Sequence, residues 1–245
     1  MDHLVLFCCL LFGVAFLYAS VGHGGASGYL ALMALFSVSP AVMKPTALLL
    51  NLFVASVSFI QFYRAGHFRW KLFWPLALAS IPMAFVGGLV SIDAAIYKKI
   101  LGLLLLIPVL RFFIFRNMPD TPRRKEHLGL SLAIGAGIGL LSGLIGIGGG
   151  IILSPVVLLL GWANQKQTAA ISALFIFVNS LSGLAGQLVK GISISQDMVL
   201  FVALAFAGGL LGAYFGAKKF KQPVLQQILA SVLLLAVYKL LFTQA

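Results

Sequence analysis

Acidic residues are nearly absent. Five Asp and Glu stand in 245 residues, against 17 Lys and Arg. All five (Asp2, Asp93, Asp120, Glu126 and Asp197) fall at a terminus or in expected loops. That excludes the intramembrane carboxylate relay of many proton and cation pumps. Cysteine is scarce too: Cys8 and Cys9 are adjacent, so a disulfide scaffold and a cysteine metal site are both excluded. The four histidines, His3, His23, His67 and His127, are widely spread, and no nucleophile–base pair accompanies them. This argues against a membrane-embedded enzyme; no catalytic residue, metal or cofactor is expected. Charged residues make up only 9% of the chain, where a soluble domain carries roughly 25%.

What is there is mostly hydrocarbon. Hydrophobic residues reach 61% and mean hydropathy is +1.09, so the chain reads as an integral membrane protein in a lipid bilayer. A net charge of +12 would in a soluble protein point to nucleic acid. Here the cations flank the apolar runs without an aromatic-rich cluster of their own, as topology signals do. No nucleic-acid partner is expected. The N-terminus lacks a basic n-region and does not read as a cleaved signal peptide. The longest polar stretch, 116–127, is rich in Pro and charge and divides the chain into 1–115 and 128–245.

A spanning helix needs about 20 apolar residues. Six stretches qualify directly: Pro45–Tyr63, Leu72–Ser91, Ile96–Phe115, Thr168–Val189, Met198–Ala217 and Val224–Thr243. Two more, near 5–37 and 128–160, are interrupted by glycine. Each is too long for one helix and too short for a full pair. Either a broken helix that crosses once or a re-entrant hairpin that returns to its own side fits that length.

The cations choose between them. With both interrupted segments re-entrant, twelve cations share one side: Arg64, Arg69, Lys71, Arg111, Arg116, Arg123, Arg124, Lys125, Lys166, Lys218, Lys219 and Lys221. Five take the other: Lys44, Lys98, Lys99, Lys190 and Lys239. With full crossings the same residues divide ten against seven, so the positive-inside rule prefers re-entrant hairpins. The expected fold is an all-α polytopic membrane protein of two inverted repeats. Each repeat is a glycine-broken re-entrant hairpin plus three transmembrane helices. Linker 116–127 is then cytoplasmic and both termini extracytoplasmic. Inverted repeats are a common plan of secondary transporters, with the site at the repeat interface.

The repeat is visible in four landmarks. Gly22-His-Gly-Gly-Ala26 matches Gly146-Ile-Gly-Gly-Gly150, and Lys44-Pro-Thr-Ala47 matches Lys166-Gln-Thr-Ala169. Phe85-Val-Gly-Gly88 matches Phe206-Ala-Gly-Gly209, and Ile100-Leu-Gly…Arg111 matches Ile228-Leu-Ala…Lys239.

The glycine clusters carry the expected chemistry, close packing of helices on small residues being the other reading. Of the nine residues Ser142–Gly150, five are glycine. A helix that starts just after such a break points free N–H groups and the positive end of its dipole into the gap. That binds an anion without a charged side chain. Helices beginning near Ala26 and Ile151 would aim their N-termini at one midplane cavity from opposite sides. The expected substrate site is Gly22, His23, Gly24, Gly25 and Ala26 from the first break, and Gly146, Gly148, Gly149 and Gly150 from the second. Asn51, Thr168, Ser172 and Asn179 join them from polar stripes on the two equivalent helices, Asn51–Ala55–Ser58 and Thr168–Ser172–Asn179–Ser182–Gly186. Interhelical hydrogen bonding is the other reading of the stripes. His23 either attracts an anion or is satisfied by carbonyls exposed at the break. Lys44 and Lys166 either draw anions to the two mouths or snorkel; Arg111 and Lys239 read as snorkelling. Gly208, Gly212 and Gly216, and Gly135, Gly137 and Gly139, read as packing faces.

Ser142-Gly-Leu-Ile-Gly-Ile-Gly-Gly-Gly-Ile-Ile-Leu-Ser-Pro155, followed by Gln165-Lys-Gln-Thr-Ala-Ala-Ile-Ser172, resembles the TauE/SafE sulfite exporter family, also called the 4-toluene sulfonate uptake permease family. In the first half, His23 and Ala26 depart from the GxGGG-like form. The resemblance implies a plasma (inner) membrane carrier of small sulfur oxyanions, such as sulfite or organosulfonates. With the cell interior negative, export of an anion runs downhill by roughly 2.3 kcal/mol per charge per 100 mV. The expected function is therefore a secondary exporter of such an anion. A passive anion channel, or a proton-coupled uptake permease for another small anion, is the alternative.

Overall fold

The computed structural model describes residues 2–20, 25–114, 124–192, 196–216 and 222–242. Its elements are α1 (Asp2–Ser20), α2 (Ala26–Leu35), α3 (Pro40–Arg64), α4 (Trp70–Leu89), α5 (Ala94–Ile114), α6 (Leu128–Ile145), α7 (Gly150–Leu159), α8 (Gln165–Val189), α9 (Gln196–Gly216) and α10 (Gln222–Phe242). The described residues form no strand. The six uninterrupted stretches appear as α3, α4, α5, α8, α9 and α10, and all boundaries but one agree within three residues. The largest difference is at α3, which begins five residues earlier than expected. Pro40 occupies its first turn after an extended Ser39, where a proline is pre-organised and loses no needed hydrogen bond. The helix then runs through Pro45.

Among the described residues, four helices are long and apolar enough to cross a membrane, Pro40–Arg64, Trp70–Leu89, Leu128–Ile145 and Gln165–Val189. Leu78, Leu103, Val199 and Leu235 are each more than half exposed. So much bare apolar surface is stable against lipid rather than water. The chain is an all-helical, multi-pass membrane protein.

Glycine sets how closely the helices approach. A Cβ at Gly135, Gly139 or Gly143 on α6 would collide with the carbonyls of Leu76, Ser80 and Ala84 on α4. The two sets of numbers rise together, so α4 and α6 run parallel, backbone on backbone. Gly208 and Gly212 on α9 meet the Phe12 and Phe16 carbonyls on α1 in the same sense. The expected faces are therefore corrected at one position. Gly137 looks into open space, because the i, i+4, i+8 line of α6 runs through Gly135, Gly139 and Gly143. The surroundings of Gly216 lie outside the described residues. Across the molecule α1 lies on α9 and α6 on α4, while α3 meets α8 and α5 meets α10. Each half thus lends its first helix to the other half.

Both interrupted segments turn back on themselves. The Arg124 N–H donates to the Gly161 carbonyl at 3.0 Å, so the chain leaves and re-enters 128–160 at one place. Arg69, at the start of α4, clamps this base: its guanidinium donates to the Trp162 carbonyl at 2.5 Å and to Glu126 Oε2 at 3.3 Å. In the first half the Phe7 ring, early in α1, packs edge-on to Phe36, which follows α2, with centroids 5.2 Å apart. Lys239 does more than snorkel. Its ammonium donates to the Leu35 carbonyl at 2.5 Å and to Ser37 Oγ at 2.9 Å, capping α2 where the carbonyls of a helix end lack partners. The side chain of Arg111 lies outside the described residues.

Candidate functional site

The turn between α6 and α7 is built from left-handed glycines. Gly146, Gly148 and Gly149 have φ of 85°, 76° and 78°, a region where a side chain is strained. Gly146 ends α6, its N–H donating to the Ser142 carbonyl at 2.8 Å, and Gly149 is the N-cap of α7. Two further contacts hold the turn. Tyr97 Oη, from α5, donates to the Ile145 carbonyl at 2.9 Å. Gly146 lies against the backbone of Lys44, where a Cβ would come within 2.9 Å of Cα.

The tip enters the seam between α3 and α8. A Cβ on Gly148 would lie 2.8 Å from Asn51 Nδ2, 2.9 Å from Ile176 Cγ2 and 3.0 Å from Ser180 Oγ. One on Gly149 would lie 2.9 Å from both Ile138 and Phe175, and one on Gly150 2.5 Å from Ile176. Asn51, Ile176 and Ser180 stand near the middle of two 25-residue helices, each about 37 Å long. The tip therefore reaches the centre of the bundle. All five residues Gly146–Gly150 are buried.

The polar groups around the tip are incompletely paired. Among the described residues, no hydrogen bond accepts the N–H of Ile147, Gly148, Gly149, Gly150 or Ile151. Asn51 Nδ2 donates to Ser180 Oγ at 3.3 Å, and Asn179 Nδ2 to the Phe175 carbonyl at 2.8 Å. Among the described residues, Asn51 Oδ1, Asn179 Oδ1, Ser142 Oγ and, further from the tip, Thr168 Oγ1 are buried without a partner. Buried polar groups are nearly always satisfied, so these atoms stand out in the interior.

Of the expected site residues, the structure gathers Asn51, Gly148, Gly149 and Gly150, with Asn179 one turn from the Phe175 ring that meets Gly149. Ser172 lies beside Gly150 through its carbonyl, but its Oγ shares a 2.8 Å hydrogen bond with Ser154. Thr168 is buried a turn further along α8 without a described contact to the tip. The stripe on α8 divides: Ser182 donates to the Ile81 carbonyl at 2.6 Å and Gly186 meets Phe85, so both face α4. Ser58 on α3 is only half-buried.

Gly22, His23 and Gly24 lie outside the described residues. Gly25 is the N-cap of α2 with φ −62°, and a Cβ there would strike the Tyr29 ring 2.5 Å away. Ala26 is buried, and Tyr29 Oη is a further buried hydroxyl without a partner among the described residues. Sequence reasoning missed Ser180, Ile176 and Tyr97. Ser180 and Ile176 were findable, since 172, 176 and 180 repeat at i, i+4, i+8 along one helix face.

A family model described as Sulfite exporter TauE/SafE matches residues 6–240. The chain belongs to the TauE/SafE sulfite exporter family. Among family relatives, a probable membrane transporter protein, y4hK, of Sinorhizobium fredii is 35% identical over 239 residues, covering 94% of this chain and 95% of the relative. One of Haemophilus influenzae is 30% identical over 222 residues, covering 89% and 85%. A sulfite exporter TauE/SafE family protein 6 of Arabidopsis thaliana is 35% identical over 80 residues, 33% of this chain and 18% of that one. No solved structure matches the chain. The family and its relatives' names point to membrane transport.

Proposed function

We propose that this protein is a secondary exporter of a small sulfur oxyanion, sulfite or an organosulfonate, across the inner membrane, and carries out no catalysis. The observation that carries the reading is the buried run Ile147–Ile151, whose five N–H groups lack acceptors among the described residues. Such donors at the N-terminus of α7 suit an anion, and burial in a medium of low dielectric strengthens the attraction. The orphaned Asn51 and Asn179 oxygens are acceptors, and they suit an oxyanion that still holds a proton, such as hydrogensulfite. One small ligand then answers both kinds of group.

The exchange of first helices between halves supports two inverted repeats, 1–115 and 128–245 joined by a cytoplasmic linker at 116–127. The distribution of cations supports extracytoplasmic termini. In that arrangement Gly22, His23, Gly24, Gly25 and Ala26 form the counterpart of the tip, and Thr168 and Ser172 line the route beyond it. Export needs no co-ion, because the membrane potential favours loss of an anion.

Flux of sulfite, sulfoacetate and thiosulfate into proteoliposomes containing the purified protein tests the substrate class. Saturable counterflow of at least one of them is expected. Carriage of chloride or carboxylates in their place contradicts the sulfur assignment.

A further inference from the structure

Beyond the tip, the α3–α8 seam holds a buried amide with no partner. Asn51 bonds to Ser180, and Leu48 Cδ1 lies 3.5 Å from the Cβ position of Gly183. These pairs define an antiparallel register, and one turn further Lys44 falls opposite Gln187. Gln187 is 2% exposed, and neither its Nε2 nor its Oε1 has a hydrogen-bond partner among the described residues.

Lys44 is half-buried. Its ammonium sits 5.2 Å from the centroid of the Tyr97 ring, and no described carboxylate forms an ion pair with it. Lys190 is within electrostatic reach of Lys44, its own ammonium bonded to Ser91 Oγ. Two cations and, by helix register, an unpaired amide thus share one end of the seam with no described carboxylate paired to Lys44, a combination that an oxyanion would complete. The backbone of Lys44 is also the surface on which Gly146 rests, so this cluster adjoins the tip. The opposite end of the seam differs. There Lys166 is exposed, and the same register sets exposed Ala65 across from it.

We propose that Lys44 and Gln187 form a second oxyanion station, adjoining the tip on one side only, through which the transported anion enters or leaves. Lys44 supplies charge and Gln187 Nε2 a hydrogen bond, while Lys190 raises the local positive potential. The station rests on the reading of the tip as the transport site and takes the same class of anion.

Equilibrium binding of radiolabelled sulfite to the purified full-length protein, in oxygen-free buffer, tests it. Two anions per chain are expected for the wild type, and one each for Lys44→Met, Gln187→Leu and the tip variant Asn51→Ala. The affinity of the anion that Lys44→Met and Gln187→Leu retain should stay within about twofold of its wild-type value, well under the tenfold of 1.4 kcal/mol. Gln187→Leu replaces an unsatisfied amide with an apolar group of similar size, so it is expected to fold. A purely structural glutamine would leave the stoichiometry untouched. One anion in the wild type, with Lys44→Met and Gln187→Leu binding it unchanged, overturns the station and leaves the tip standing. One anion lost in Lys44→Met but kept in Asn51→Ala upholds the station and overturns the tip.

Discussion

Asn51 on α3 and Ser180 on α8 are 129 residues apart in sequence and joined by a 3.3 Å hydrogen bond, with Gly148 seated against both. The two halves of the chain meet at this pair, and the glycine tip is held there.

Asn51 is therefore expected to serve binding more than folding. Asn51→Ala removes one hydrogen bond, a stability loss of about 1 kcal/mol, and weakens the tip so far that its anion is lost at equilibrium and sulfite counterflow falls. Asn51→Asp keeps the shape but sets a negative charge beside the site of the anion. Sulfite counterflow should fall further in Asn51→Asp than in Asn51→Ala. The opposite order would show that no anion approaches Asn51.

Close helix contact predicts a second outcome. A Cβ on Gly143 meets the Ala84 carbonyl and, at 2.8 Å, the Gly88 nitrogen, and backbone cannot step aside as a side chain can. Gly143→Ala should lower stability by about 1–3 kcal/mol through overpacking. Gly137→Ala, facing open space, should be neutral or slightly stabilising, since alanine favours a helix by about 1 kcal/mol. Thermal unfolding in detergent measures both. Equal melting temperatures would contradict the parallel α4–α6 packing.

The base of the second hairpin gives a third. Arg69 serves both the Trp162 carbonyl and Glu126. Arg69→Ala leaves that carbonyl without its donor, a loss of about 1.5–3 kcal/mol for a charged hydrogen bond. Glu126→Gln removes only a part-exposed ion pair, at about 0–1 kcal/mol. Hydrogen exchange across 161–165 should rise clearly in Arg69→Ala and little in Glu126→Gln. Equal effects would assign the clamp to the ion pair.

Tyr97 provides a fourth. Its hydroxyl holds the last carbonyl of α6, so Tyr97→Phe should lower the melting temperature modestly, consistent with a loss of about 1 kcal/mol. It should leave binding at the tip intact, because the left-handed glycines set the turn. Loss of sulfite binding without loss of stability would place Tyr97 in the site itself.

Much of this was legible in the residues because a membrane makes the rules strict. Apolar length located six helices, and dense glycine between Ser142 and Gly150 located the tip, since bare backbone in hydrocarbon demands a reason. Three things were not legible. The partner of each glycine face depends on tertiary register, so Gly137 was grouped with Gly135 and Gly139 although it faces away. Ser182 and Gly186 share a broad stripe with Asn179 but sit on the side of α8 that α4 claims. Lys239 resembles any snorkelling cation until the end of α2, some 200 positions earlier, is brought beneath it.

The central claim is that the Gly146–Gly150 tip holds the transported anion, and sulfite counterflow in proteoliposomes tests it most directly. Three proteins are compared: wild type, Gly148→Leu, and Gly137→Leu as a control on the open face of α6. With equal incorporation, Gly148→Leu is expected to lose at least tenfold in rate, about 1.4 kcal/mol or more, and Gly137→Leu to retain the wild-type rate. Wild-type counterflow by Gly148→Leu would contradict the account.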